Sequence, residues 1–195
     1  MRLLPEDPAK RGRLQLLLLI GVFLLPLVGS GVAYLFHWST GHRSNYGALI
    51  EPRQVPQSTL LEAGGQRERL DALRGKWILL QFDAPACDPR CERKLYTMRQ
   101  VRKALGRDES RVERVWIVSA QGQPAPRLLQ AIAGTHVLRP ADPQFSAAFP
   151  APRDVREHIF LVDPRGNLML RFPPDADPSR VIKDLQRLLA YSVIG

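Results

Sequence analysis

Cysteine is nearly missing from this chain: Cys87 and Cys91 are the only two in 195 residues. Two cysteines cannot staple a domain of this size. A disulfide-scaffolded fold is therefore excluded, and the pair is left to redox chemistry, metal binding or no role. A glycine-rich phosphate loop is also lacking, since Gly64-Gly65 reads as a hairpin turn, and no Ser/His/Asp arrangement follows from spacing. Internal repeats and low-complexity tracts are absent. With no helix-turn-helix, finger or RNA-binding signature, the net charge of +9 does not indicate nucleic acid. It reads as a basic surface facing anionic lipid or an acidic protein partner.

Charge is missing from residues 14–36, an apolar run long enough to cross a bilayer. Pro26 and Gly29 lie inside it, which membrane helices tolerate. Lys10, Arg11 and Arg13 precede it, and Tyr34 and Trp38 mark its far end. The positive-inside rule then sets residues 1–13 in the cytoplasm and everything after about Thr40 outside. A cleaved signal peptide has a shorter apolar core, roughly 7–15 residues, so an uncleaved anchor is the reading. Residues 37–57, with their Gly, Pro, Ser and Arg, read as a tether, and residues 58–195 as the folded domain. The expected location is a bacterial-type inner membrane, crossed once, with the domain in the periplasm, an oxidising compartment.

Within the domain, residues 76–82 and 112–118 read as core strands, and residues 92–105 as a helix between them. Residues 60–66 resemble a short hairpin, 70–75 a helical turn, 127–133 a helix and 137–138 a short strand. Residues 157–172 form two strands about Asp163-Pro164-Arg165-Gly166, a strong hairpin signal. Residues 177–191 close the chain as an amphipathic helix with Val181, Leu185, Leu188 and Leu189 on one face. Strand, helix, strand, helix, hairpin and helix is a thioredoxin-like α/β order.

The cysteines stand between the first core strand and its helix. Asp88 then Pro89 is a helix-start signal, so Cys91 falls in the first turn and Cys87 just before it. Helix amides, Arg90, Arg93 and Lys94 are expected to favour the thiolate, which is both the nucleophile of disulfide exchange and a soft ligand for copper. Sulfurs one turn apart can close a disulfide or hold one metal ion, and the spacing admits both. Asp83 ends the strand behind them, near the sulfurs or capping a turn. His158, at the start of a later strand, reads by itself as a hydrogen-bonded structural residue. His37 and His42 border the apolar run, and His136 lies in a loop.

The N-terminal anchor, the C-x-x-x-C pair and Glu157-His158-Ile159-Phe160-Leu161-Val162-Asp163-Pro164-Arg165-Gly166, set in this layout, resemble the Sco/SenC branch of the thioredoxin-like proteins. Leu73-Arg74-Gly75-Lys76-Trp77 resembles the wider thioredoxin/peroxiredoxin pattern. The resemblance implies a thioredoxin-like α/β domain on one transmembrane helix. It implies that Cys87, Cys91 and His158 bind copper, as Cu(I) or Cu(II), and that the protein delivers copper to, or reduces the thiols of, the copper centre in cytochrome c oxidase subunit II. Partners would be that subunit or another assembly factor, and a thiol reductant. The chain departs from the family pattern at Asp88 and Glu92, where prolines are usual, and at residues 119–126, where an acidic stretch is usual. It is a divergent relative. Two further readings follow: a metal-free thiol–disulfide reductase in which Cys87 attacks and Cys91 resolves, and a non-catalytic docking factor for oxidase assembly.

Overall fold

Residues 8–35, 45–56, 58–62, 67–192 and 194 are described by the computed structural model. The chain divides into an N-terminal unit, residues 1–44, and a second unit, residues 45–195. The first contains one helix, α1, Pro8–Leu35, with Pro26 inside it. Its segment Gly12–Val32 is long and apolar enough to cross a membrane. Phe23, Leu25 and Leu27 on it are largely exposed. Trp38, His37 and His42, and the expected turn at Gly64-Gly65, lie outside the described residues.

The second unit is built on one sheet of eight strands in the order β1-β8-β7-β4-β5-β6-β2-β3. The strands are β1 (Ala48–Gln54), β2 (Leu60–Glu62), β3 (Arg67–Glu68), β4 (Trp77–Asp83), β5 (Val112–Val118), β6 (His136–Pro140), β7 (Ile159–Val162) and β8 (Asn167–Phe172). The helices are α2 (Pro89–Ala104), α3 (Pro126–Ala131) and α4 (Pro178–Tyr191). Strands β4, β5 and β6 run parallel, which requires crossovers, and α2 and α3 supply them. Strand β7 pairs antiparallel with β4 and β8 with β7. Gly166, at φ 88°, closes the β7–β8 turn, with its amide donating to the Asp163 carbonyl at 2.9 Å. This is the mixed sheet and helix arrangement of a thioredoxin-like domain.

All seven residues of β4 are buried, as expected of a strand covered on both faces. Its side chains alternate between two cores. Ile78, Leu80 and Phe82 face Val115, Ile117, Phe145, Phe149, Phe160 and Val162. Trp77 and Leu79 face Met98 and Val101 of α2, Leu105 just beyond its end, and Val181, Leu185 and Leu189 of α4. The apolar stripe read on α4 is the buried one, with Leu188 at its margin.

Strand β1 occupies part of the stretch expected as tether. Only Ile50 of its seven residues is buried, so it carries no alternating pattern to read. Its backbone pairing with β8 defines it, and Pro52 is tolerated because β1 is an edge. The approach to it is fixed by Gly47, whose amide donates to buried Asp184 of α4 at 2.9 Å. A Cβ there would stand 3.0 Å from the Phe172 ring.

Candidate redox site

Strand β4 ends at Asp83, and the chain then turns sharply into α2. Asp83 Oδ1 accepts from the Ala84 amide at 2.9 Å, and the Cys87 amide donates to the Ala84 carbonyl at 3.1 Å. Cys87 takes φ 40°, in the left-handed region, at a cost of about 1–2 kcal/mol for a residue with a side chain. That bend brings its Cα to 5.1 Å from that of Cys91, and the two are joined as a disulfide. Asp88 is the N-cap, its Oδ1 accepting from the amides of Arg90 at 2.9 Å and Cys91 at 2.8 Å, and Pro89 begins the helix. The bond from the Cys91 amide is the main reason the Asp88 carboxyl is held below its ordinary pKa.

The pair is set into apolar surroundings: Leu95 from α2, Trp116 and Val118 from β5, Ile132 and Val137. Cys91 is 0% exposed and Cys87 6%, so an incoming thiol or disulfide meets Cys87 first. One buried polar side chain reaches the sulfurs from below. Gln81, fully buried in β4, directs Nε2 to Cys91 Sγ at 3.8 Å. The sequence reading did not single it out, though a lone amide inside the run Ile78-Leu79-Leu80-Gln81-Phe82 was the available signal.

The cations expected to polarise the thiols are largely committed elsewhere. Lys94 Nζ donates to Asp83 Oδ2 at 3.0 Å, to the Phe82 carbonyl at 3.2 Å and to the Arg156 carbonyl. Burial pushes the Lys94 ammonium pKa down, and the Asp83 charge opposes that shift. Arg93 pairs with Asp175 at 3.6 Å. Asp83 therefore does two things at once, capping the turn and neutralising Lys94. Beside this pair lies an open cleft of mixed charge, lined among others by Asp88, Arg90, Asp154, Arg156 and Glu157.

His158 is buried at the start of β7, one residue beyond the last β4–β7 pair, Gln81↔Ile159. That sets it at the same end of β4 as the cysteine loop. Its Nδ1 lies 2.9 Å from the Phe172 carbonyl, which can only accept, so Nδ1 carries the proton. Nε2 is then the lone-pair nitrogen, buried and, among the described residues, without a hydrogen-bond partner. Burial is the main cause of the lowered pKa of the imidazole. The ring lies against Phe160 at 6.1 Å, on the aromatic side of the sheet, whereas Gln81 and Cys91 meet under α2. With the sulfurs joined, the three expected ligands are not gathered: among the described residues no three His, Cys, Asp or Glu side chains form a metal-holding group. His136, expected in a loop, is half-buried as the first residue of β6, its Nε2 3.8 Å from Glu113 Oε2.

A strained turn, a bonded cysteine pair at a helix start and a buried amide beneath it can exchange two electrons with an external dithiol. The sequence profile described as "Transmembrane-like, thioredoxin-like, C-terminal domain" matches residues 77–192. Among curated protein sequences, none matches significantly. The fold is shared with solved structures of low identity. ScoI of Bradyrhizobium japonicum with copper bound is 22% identical, with a TM-score of 0.53 over 69% of this chain and 99% of its own. BsSco, a Sco-family cytochrome c oxidase assembly protein with an identified disulfide switch, is 16% identical, at 0.56 over 74% of this chain and 99% of its own. The thioredoxin domain of a thiol-disulfide oxidoreductase from Bacteroides vulgatus is 14% identical, at 0.55 over 72% and 99%.

Proposed function

The chain belongs to the family of transmembrane-like, thioredoxin-like C-terminal domains, and from that premise we propose that it is a membrane-anchored dithiol–disulfide redox protein. Its client is the cysteine pair of a copper centre in cytochrome c oxidase subunit II, which accepts copper only as free thiols. The observation that carries this reading is the Cys87–Cys91 pair itself, bonded at the start of α2 with the more exposed sulfur on Cys87. Reduced Cys87 attacks a disulfide of the client, and Cys91 then attacks Cys87 to release the client as a dithiol and re-form the internal bond. A separate thiol reductant restores the pair. The basic residues before the apolar helix support an N-terminus in the cytoplasm and the redox domain in the periplasm, with residues 37–44 and the start of the second unit as the connection. The fold shared with an oxidase assembly protein that has a disulfide switch supports the choice of client.

A second reading, copper as cargo, is favoured by one observation: Nε2 of His158 is a buried lone-pair nitrogen without a partner among the described residues. Once the disulfide is reduced, Cys87 and Cys91 supply soft sulfur donors and His158 a nitrogen, a set that suits Cu(I) and Cu(II). The copper-bound state of a Sco protein of the same fold supports it. The test uses the full chain in detergent micelles. Reduced protein is expected to cleave a peptide disulfide stoichiometrically. Cys91→Ser is expected to stop at the mixed disulfide on Cys87, trapping the client. If no disulfide is cleaved and reduced protein instead binds one copper that His158→Ala releases, the cargo reading replaces the redox one.

A further inference from the structure

Strand β4 is buried along its whole length, flanked by β5 and β7 and covered by a core on each face. An amide in its middle is costly to bury unless it is used. Gln81 is 0% exposed; its Nε2 reaches the Cys91 sulfur, and its Oε1 is buried with no partner among the described residues. Leucine would fill the same place without burying a polar oxygen. Among the described residues, what glutamine adds there is the contact with sulfur.

That contact differs in strength between redox states. A disulfide sulfur is a weak acceptor, whereas a thiolate accepts a charge-assisted hydrogen bond. Cys91 needs such a donor. It is fully buried, which disfavours its thiolate, and its backbone amide already donates to the Asp88 carboxylate, which adds negative charge nearby. Lys94 and Arg93 are paired with Asp83 and Asp175. We propose that Gln81 is a working member of the redox site: its Nε2–H stabilises the Cys91 thiolate and thereby sets how easily the Cys87–Cys91 bond is reduced. This rests on the redox reading given above.

With glutathione as reductant the step balances as follows. A glutathione thiolate attacks Cys87 Sγ; the Cys87–Cys91 bond breaks, and Cys91 leaves with the electron pair as the thiolate that Gln81 receives. A second glutathione thiolate attacks the glutathione sulfur of the mixed disulfide, freeing the Cys87 thiolate and forming oxidised glutathione. Two electrons pass to the protein, and the two protons released by the glutathione thiols are available to the cysteines. When Cys91 is protonated, Oε1 is the acceptor for its S–H after rotation of the amide.

The experiment equilibrates the full chain, in micelles, with mixtures of reduced and oxidised glutathione. The chain is kept whole because β1 belongs to the sheet. Gln81→Leu is expected to lower the equilibrium constant for reduction about tenfold, a potential about 30 mV more negative. A purely structural role would not move that constant. Should Gln81→Leu not fold, the wild-type protein gives the answer by itself: the Gln81 side-chain amide protons are expected to shift downfield on reduction. An equilibrium constant within twofold of wild type, or amide protons that do not move, would overturn the role of Gln81 while leaving the redox reading intact. A wild-type protein that never equilibrates with glutathione would overturn the redox reading and this inference together.

Discussion

On one face of the sheet, Phe82, Phe145, Phe149 and Phe160 pack with ring centroids 4.8–6.2 Å apart, largely edge-on or tilted. On the other face, beneath α2, the same strand presents Gln81 and Asp83, which meet Cys91 and Lys94. Strand β4 thus divides stiffness from chemistry by nothing more than side-chain alternation. His158 falls on the aromatic side, hydrogen-bonded to the β8 backbone, although it lies at the same end of the sheet as the cysteines. The difference leaves Cys87, Cys91 and Gln81 together under α2 and His158 against the aromatic core.

This division is broken most completely at the sulfurs. Cys87→Ser and Cys91→Ser are each expected to reduce catalytic turnover of a peptide disulfide to the background rate, measured by release of peptide thiol. Next in size is Lys94→Met, which leaves Asp83 charged and unpaired in a buried place; about 3–5 kcal/mol of stability is expected to be lost in denaturant unfolding. Adding Asp83→Leu should recover a large part of it. Phe149→Ala, on the aromatic face, should cost a similar 3–5 kcal/mol yet leave the glutathione potential unchanged, since Phe149 belongs to one core cluster and the cysteines to another. If the potential moves with it, the two faces are coupled and the comparison fails.

Smaller effects sharpen it. Asp88→Ala removes the cap and should cost about 1 kcal/mol, while the loss of a carboxylate beside Cys91 should make the pair easier to reduce. His158 supplies a pH dependence. Burial lowers its pKa from the ordinary 6.5, so the unfolded chain binds its proton first as pH falls. Its contribution to stability is therefore intact above about pH 6.5 and is lost as the pH drops towards the folded value. The difference in melting temperature between wild type and His158→Phe should accordingly change between pH 7.5 and pH 5.5, with wild type losing more.

Much of this fold is legible from residues alone. The mostly apolar runs of β4 and β5, the Asp163–Gly166 turn, the stripe on α4 and the Asp88-Pro89 start of α2 are each dictated by local chemistry, and the structure has them. Strand β1 is not legible, because an edge strand with one buried side chain is held by backbone pairing that leaves no pattern. The left-handed turn at Cys87 carries neither glycine nor asparagine to announce it. The cations near the cysteines were visible as neighbours in sequence, but their acidic partners, Asp83 and Asp175, were not, since those pairings are tertiary. For His158, the strand start was readable and the face was not: that depends on the β4–β7 register.

The most direct test of the central claim is the rate at which reduced full-length protein cleaves a peptide disulfide, measured for wild type and His158→Ala side by side. The account predicts rates within about twofold of each other, because the imidazole is held by the Phe172 carbonyl and lies against Phe160, on the aromatic side of the strand. A wild-type protein that cleaves nothing, or a His158→Ala rate at background, would contradict it and make His158 part of the same site as Cys87 and Cys91.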